Sequence, residues 1–147
     1  MRLLQILFLI VHDGQYRPVG PGKLRGAKVH KNKQRLQAVY KYIVENYHQK
    51  ITLEEIASYA SMNKTAFCLF FKKATNESFV AYLNGYRLQM ACTMLTRTSR
   101  NISEICYAVG FSDVPYFNRA FRQRYGLSPT QYRVSMLGAP AADGAGT

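Results

Sequence analysis

The chain repeats itself, and that repeat limits what it can fold into more than any other feature. At an offset of 49, Leu53, Glu55, Ile56, Ala57, Ala60, Ser61 and Met62 fall on Ile102, Glu104, Ile105, Cys106, Val109, Gly110 and Phe111. The offset then becomes 50, and Phe67, Phe71, Lys72, Ser78 and Tyr82 fall on Phe117, Phe121, Arg122, Ser128 and Tyr132. Each copy reads as a capped short helix, a small residue with a large apolar one at a tight turn, a second capped helix and a basic end. A short helix, a tight turn and a second helix form a helix-turn-helix, in which the first helix braces the second.

The periodicity is helical throughout. Leu36, Val39, Tyr40, Ile43, Val44 and Tyr47 follow the i, i+3, i+4, i+7 spacing of an amphipathic helix. Thr52 and Glu55 have the capping-box spacing and open a helix from Leu53 to about Ala60. Asn63 caps a helix from Lys64 to about Ala74, and Ser78 caps a longer one from Phe79 to about Arg97. Asn101, with Glu104 three residues on, opens the next, and Gly110 suits its left-handed exit. Ser112 is expected to cap a helix that Gly126 ends. Ser128 followed by Pro129 opens a last short helix. The expected fold class is all-α: seven helices in two helix-turn-helix subdomains joined by a long connecting helix.

Domain boundaries follow from composition. Residues 1–17 begin with an apolar run, Leu3 to Val11, too short to span a membrane and lacking a signal-peptide cleavage site. They read as a short apolar helix that needs a partner surface. Residues 18–34 hold two Pro, three Gly and five Lys or Arg without an acid, and read as a basic flexible linker. The folded part is expected at 35–133: a first subdomain at 35–77, the connecting helix at 78–98 and a second subdomain at 99–133. Residues 134–147 read as a disordered tail.

Charge narrows the function. Twenty Lys and Arg against eight Asp and Glu give +12 on 147 residues. Such an excess points to a polyanion: nucleic acid first, an anionic membrane surface second. Three cysteines without a C-x-x-C motif, and three histidines far from them in sequence, point away from zinc and disulfides and toward a reducing cytoplasm. No phosphate loop, nucleophile elbow or acid/base pair suggests an enzyme. No cofactor and no metal is expected.

The segments Glu104-Ile105-Cys106-Tyr107-Ala108-Val109-Gly110-Phe111-Ser112-Asp113, Tyr116-Phe117-Asn118-Arg119-Ala120-Phe121-Arg122 and Gly126-Leu127-Ser128-Pro129-Thr130-Gln131-Tyr132-Arg133 resemble the signature of the AraC/XylS family of bacterial transcriptional regulators. The resemblance covers Arg35 to Arg133. It implies a C-terminal DNA-binding domain with one helix-turn-helix per subdomain, and double-stranded promoter DNA and RNA polymerase as partners. Residues 1–17 resemble the end of an upstream sensing and dimerisation domain. That leaves open a homodimer formed through residues 1–17 or through a missing domain. A basic, membrane-surface-associated helical protein stands as the alternative.

Base readers lie on one face near the N-terminus of a recognition helix. In the second copy that face is Val114, Pro115, Asn118 and Arg119. Arg119 suits a bidentate contact to guanine, and Asn118 can pair with adenine or with a phosphate. In the first copy the face is Lys64, Thr65, Cys68 and Leu69, and Leu69 stands where the family commonly has Arg. Lys72, Lys73, Arg122 and Arg124 are expected phosphate clamps. The amides at the helix starts after Asn63 and Ser112 are expected to hold phosphates too. A connecting helix of some nineteen residues spans roughly 28 Å, which approaches one DNA turn of about 34 Å.

Overall fold

The computed structural model describes residues 23–138. Among them are seven helices and no strand: α1 (Lys23–Asn46), α2 (Leu53–Tyr59), α3 (Lys64–Thr75), α4 (Phe79–Arg97), α5 (Ile102–Ala108), α6 (Val114–Tyr125) and α7 (Pro129–Leu137). They form two compact units. The first takes the chain to Asn46 together with Ile51–Tyr82; the second takes Tyr47–Lys50 and the chain from Leu83. α4 therefore gives its first turn to the first unit and the remainder to the second. The apolar run at 1–17 and the tail from 139 lie outside the described residues.

Two expectations about boundaries are corrected. Residues 23–34 are the first half of α1, not a linker. Gly26 is the one strong helix breaker in that stretch, at about 1 kcal/mol. Lys, Arg and Gln are good helix formers, and extending an anchored helix avoids the cost of nucleation. The anchor is the second half of α1, where Leu36, Val39, Tyr40 and Ile43 are buried. Val44, expected on the same stripe, is exposed. At the other end, Val134–Leu137 belong to α7 and not to the tail.

The repeat is visible in the hydrogen bonds. At the end of α2, Ala60 N donates to Ile56 O, Ser61 N to Ser58 O and Met62 N to Ala57 O. At the end of α5, Val109, Gly110 and Phe111 donate in the same order to Ile105, Tyr107 and Cys106. The turn residue is left-handed in both copies, Ser61 at φ 57° and Gly110 at φ 103°. The offset changes because the second turn has one more residue, Ser112. Asp113 takes the cap expected of Ser112, its carboxylate accepting from Tyr116 N at 3.3 Å. The other expected caps hold: Thr52 and Ser128 form full capping boxes with Glu55 and Gln131, and Asn63 and Asn101 accept from Ala66 and Glu104. Asn76 and Gly126 end α3 and α6 in left-handed conformations.

Each unit is centred on aromatic packing. In the first, Phe67 and Phe71 are fully buried and meet Phe79 at ring distances of 5.6 Å. Tyr82 stacks on Tyr40 at 5.4 Å. In the second, Phe117 and Phe121 are fully buried against Leu88, Ala91, Leu95, Ile105, Val109 and Phe111. Two arginines stitch this unit together. Buried Arg87 donates from Nε to Tyr47 O and from Nη2 to Gln49 O, both at 2.8 Å, and its guanidinium lies 5.9 Å from the Phe111 ring centroid. Arg133 donates to Leu95 O and Thr98 O at the end of α4.

The Arg87 lock requires glycine at 110. A Cβ there would collide with Tyr47 O and stand 2.7 Å from Arg87 Nε, on a backbone already at positive φ. Gly110→Ala should therefore destabilise the fold by more than about 2 kcal/mol, the left-handed penalty adding to the clash. Ser61→Gly in the matching turn should instead stabilise it by up to about 1 kcal/mol. Urea midpoints measure both, and a Gly110→Ala protein as stable as its parent would contradict the lock.

Candidate nucleic-acid interface

Two phenylalanines four residues apart fix how each recognition helix sits. Phe67 and Phe71 on α3, and Phe117 and Phe121 on α6, face the core with no exposure. The residues between them on the helix surface are turned outward by the 3.6-residue period. On α6 these are Pro115 and Arg119, both exposed, with Val114 and Asn118 half-buried beside them. On α3 they are Lys64, Thr65 and Leu69, exposed, with Cys68 half-buried. The structure thus leaves Pro115 and Arg119 on α6, and Lys64, Thr65 and Leu69 on α3, in solvent, with Asn118 and Cys68 half-buried beside them; Val114, expected on the same face, instead packs against the second unit's core.

The chemistry of the two faces differs. Arg119 is exposed on α6, and a guanidinium carries five donors in a fixed fork. Asn118 sits beside it with Oδ1 buried and without a hydrogen-bond partner. A buried acceptor without a donor is unfavourable, and rotation about χ2 exchanges it with the amide nitrogen. On α3, Lys64 Nζ is 3.1 Å from Glu54 Oε1 on α2. Glu54's own backbone hydrogen bond, and then Lys64, hold the Glu54 carboxyl below the usual carboxylate range. Thr65, Cys68 and Leu69 then form the outward stripe at i, i+3 and i+4.

The expected phosphate clamps separate into two groups. Lys72, Lys73 and Arg122 are exposed in the last turns of α3 and α6. Arg124 is exposed too, but its guanidinium lies over Gly85 of α4 and 5.9 Å from the Tyr125 ring centroid. It is seven residues from Phe117, on the core side of α6, which sequence spacing shows only once the inner face is known. Gly85 has a matching role. A Cβ there would stand 2.8 Å from Arg124 Nη1, so the glycine makes room for Arg124 within this unit. Asn63 is exposed at the start of α3; Ser112 is exposed one residue before the cap of α6. Sequence reasoning did not single out Arg87, because no local pattern marks a residue whose partners are backbone carbonyls about forty positions away.

Among the described residues, no group of three or more His, Cys, Asp or Glu could hold a metal ion, and no helix is long and apolar enough to cross a membrane. All three cysteines are free thiols.

Known proteins resemble this arrangement. The model of a family described as "Helix-turn-helix domain" matches residues 56–135. The uncharacterized HTH-type transcriptional regulator YdeC of Bacillus subtilis (strain 168) is 33% identical over 106 residues, 72% of this chain and 35% of that protein. The C-terminal domain of the two-component response regulator yesN from Fusobacterium nucleatum is 30% identical with a TM-score of 0.65, over 68% of this chain and 98% of that one. An AraC-type transcriptional regulator from Chromobacterium violaceum, 24% identical, shares the fold with a TM-score of 0.67 over 71% of this chain and 94% of that one. The chain spans about a third of the length of the curated relatives it matches.

The thiols report on α3. Burial pushes the Cys106 thiol up to about 11 and raises that of Cys92, so neither forms appreciable thiolate near neutral pH. Cys68 is half-buried on the outward stripe. Iodoacetamide at pH 7.5 should alkylate Cys68 well before Cys92 and Cys106, and saturating duplex DNA should slow that modification. Mass spectrometry of the labelled protein checks both. Equal Cys68 labelling with and without duplex would remove α3 from the interface.

Proposed function

The chain belongs to the AraC-type family of helix-turn-helix, DNA-binding transcriptional regulators, and on that premise we propose that it binds promoter DNA through both α3 and α6. The family consists of DNA-binding regulators and not enzymes. The observation that carries the reading is the outward face of α6. There Arg119 and Pro115 are exposed on the side away from Phe117 and Phe121, Asn118 is half-buried beside Arg119, and exposed Arg122 follows at the helix end. The major groove is about 12 Å wide and admits one helix, and its base edges offer what these side chains can read.

In this reading Arg119 pairs with guanine O6 and N7, Asn118 contacts adenine or a phosphate, and Val114 meets a thymine methyl. α3 enters a second block of the same duplex through Lys64, Thr65, Cys68 and Leu69. Lys72, Lys73 and Arg122 hold phosphates and fix register without reading sequence. The helix starts at Asn63 and Asp113 add backbone N–H donors. The excess of twelve positive charges supplies the sequence-independent attraction. Contact with RNA polymerase, and self-association through residues 1–17 or an upstream domain, belong to the same proposal and rest on the family alone. The free thiols fit a site of action in the cytoplasm.

Selection of bound duplexes from a random pool tests the reading, and should return one strongly and one weakly specified block. With six to ten phosphates contacted, log K should fall against log salt with a slope of roughly −5 to −9. Arg119→Ala should cost about 1–3 kcal/mol on the selected duplex and relax preference at one base pair. Lys72→Ala should weaken all duplexes alike and make the slope shallower by about one unit. If Arg119→Ala lowers every sequence equally, Arg119 is a phosphate clamp and not a reader.

A further inference from the structure

Leu69 is 70% exposed, the most exposed of the large hydrophobic residues described. It sits on a helix whose other outward groups are cations or small side chains. Exposed Lys72 and Lys73 follow it, and Lys64 precedes it. Basic neighbours favour a surface lined by phosphates as the cover for this side chain, and the helix-turn-helix setting makes that surface a duplex. In the major groove the C5-methyl of thymine is the apolar group on offer at the base edges. Lys64 pairs with Glu54 at 3.1 Å on the exposed surface and is a point charge without the fork of a guanidinium. Apart from the Thr65 hydroxyl, what the first two turns present at i, i+3 and i+4 is apolar: the Thr65 methyl, the Cys68 sulfur and the Leu69 isobutyl group.

We propose that α3 reads thymine by its methyl group, with Leu69 as the specificity-determining residue and Thr65 and Cys68 completing the apolar stripe. The proposal rests on the DNA-binding reading above and deepens it. The two units then read different chemistry. α6 matches donors and acceptors through Arg119 and Asn118, with Val114 as its one methyl contact, and α3 reads methyl groups alone. Covering one methyl with a leucine removes apolar surface from water on both partners, enough for a several-fold preference per thymine. A cytosine methylated at C5 presents the same group at the same place and should partly substitute.

The test uses the full chain and the duplex recovered by selection. Each thymine is replaced in turn by deoxyuridine, which removes the methyl and leaves every hydrogen-bonding group in place. At one or two thymines of the weakly specified block affinity should fall about three- to tenfold; a thymine under Val114 responds in the other block and keeps its response in Leu69→Ala. Leu69→Ala should bind the parent duplex more weakly by a similar factor and lose the distinction between thymine and deoxyuridine in the weakly specified block. Because Leu69 lies in solvent, that variant keeps the core intact; the deoxyuridine series on the unaltered protein is independent of it. A duplex whose thymines all tolerate deoxyuridine within twofold overturns methyl reading. A deoxyuridine effect in the weakly specified block that persists undiminished in Leu69→Ala overturns the role of Leu69. A pool from which no sequence is enriched overturns the base-reading function itself, and this proposal with it.

Discussion

Burial of two phenylalanines one helical turn apart is the constraint on which the rest of each unit depends. α3 and α6 are twelve residues each, too short to be stable helices in water by propensity alone. Phe67 and Phe71, or Phe117 and Phe121, make each helix part of a core, and each fully buried ring is worth about 1.5–3 kcal/mol of transfer free energy. The same burial leaves no rotational freedom about the helix axis. Once those rings point inward, the residues at 65, 68 and 69, or at 115, 118 and 119, must point out. Stability and presentation are thus one requirement, met by the same residues.

The brace helices and turns serve that requirement. α2 and α5 have seven residues, less than two full turns, and each starts at a side-chain cap. Their ends are closed by the same three backbone hydrogen bonds, which need a left-handed residue. Gly110 meets that need without strain and Ser61 meets it against its preference. The second unit places Arg87 and Tyr47 O against its turn, so only a residue without a Cβ fits there. The first copy carries serine in the same turn, where the residue is exposed.

Much of this was legible in the sequence because it is local chemistry. Thr52 with Glu55, Asn63, Asn101 and Ser128 with Pro129 announce helix starts through groups that must bond within three residues. The spacing of Phe67, Phe71, Phe117 and Phe121 announces the inner face. What was not legible depends on partners distant in sequence or on compositions that fit two states. Residues 23–34 have the Lys-rich make-up of a linker and equally of a solvent-exposed helix, and only continuity with the anchored half of α1 decides. Ser112 and Asp113 are both good caps, and the choice falls to the residue that leaves room for the longer turn. Arg124 looks like a clamp until Gly85 of α4 is known to sit beneath it.

The outward faces obey a different rule from the inward ones. Changing Phe67 or Phe117 would open a cavity at about 3–5 kcal/mol, whereas a surface change at 69 or 119 usually stays within about 0.5 kcal/mol of stability. The fold therefore holds two copies of one scaffold to the same core while leaving their readers free to diverge. That freedom is used here. Arg119 and its counterpart Leu69 occupy the same position on the same helix, fifty residues apart, yet one offers five hydrogen-bond donors and the other offers none. A duplication whose halves kept identical readers would be matched best by a direct repeat in the DNA. One whose halves read hydrogen bonds and methyl groups separately is matched by two dissimilar blocks. Under the proposed reading, the two dissimilar faces would also set the orientation on the duplex, because turning the protein round would put Arg119 over methyl groups and Leu69 over unpaired acceptors.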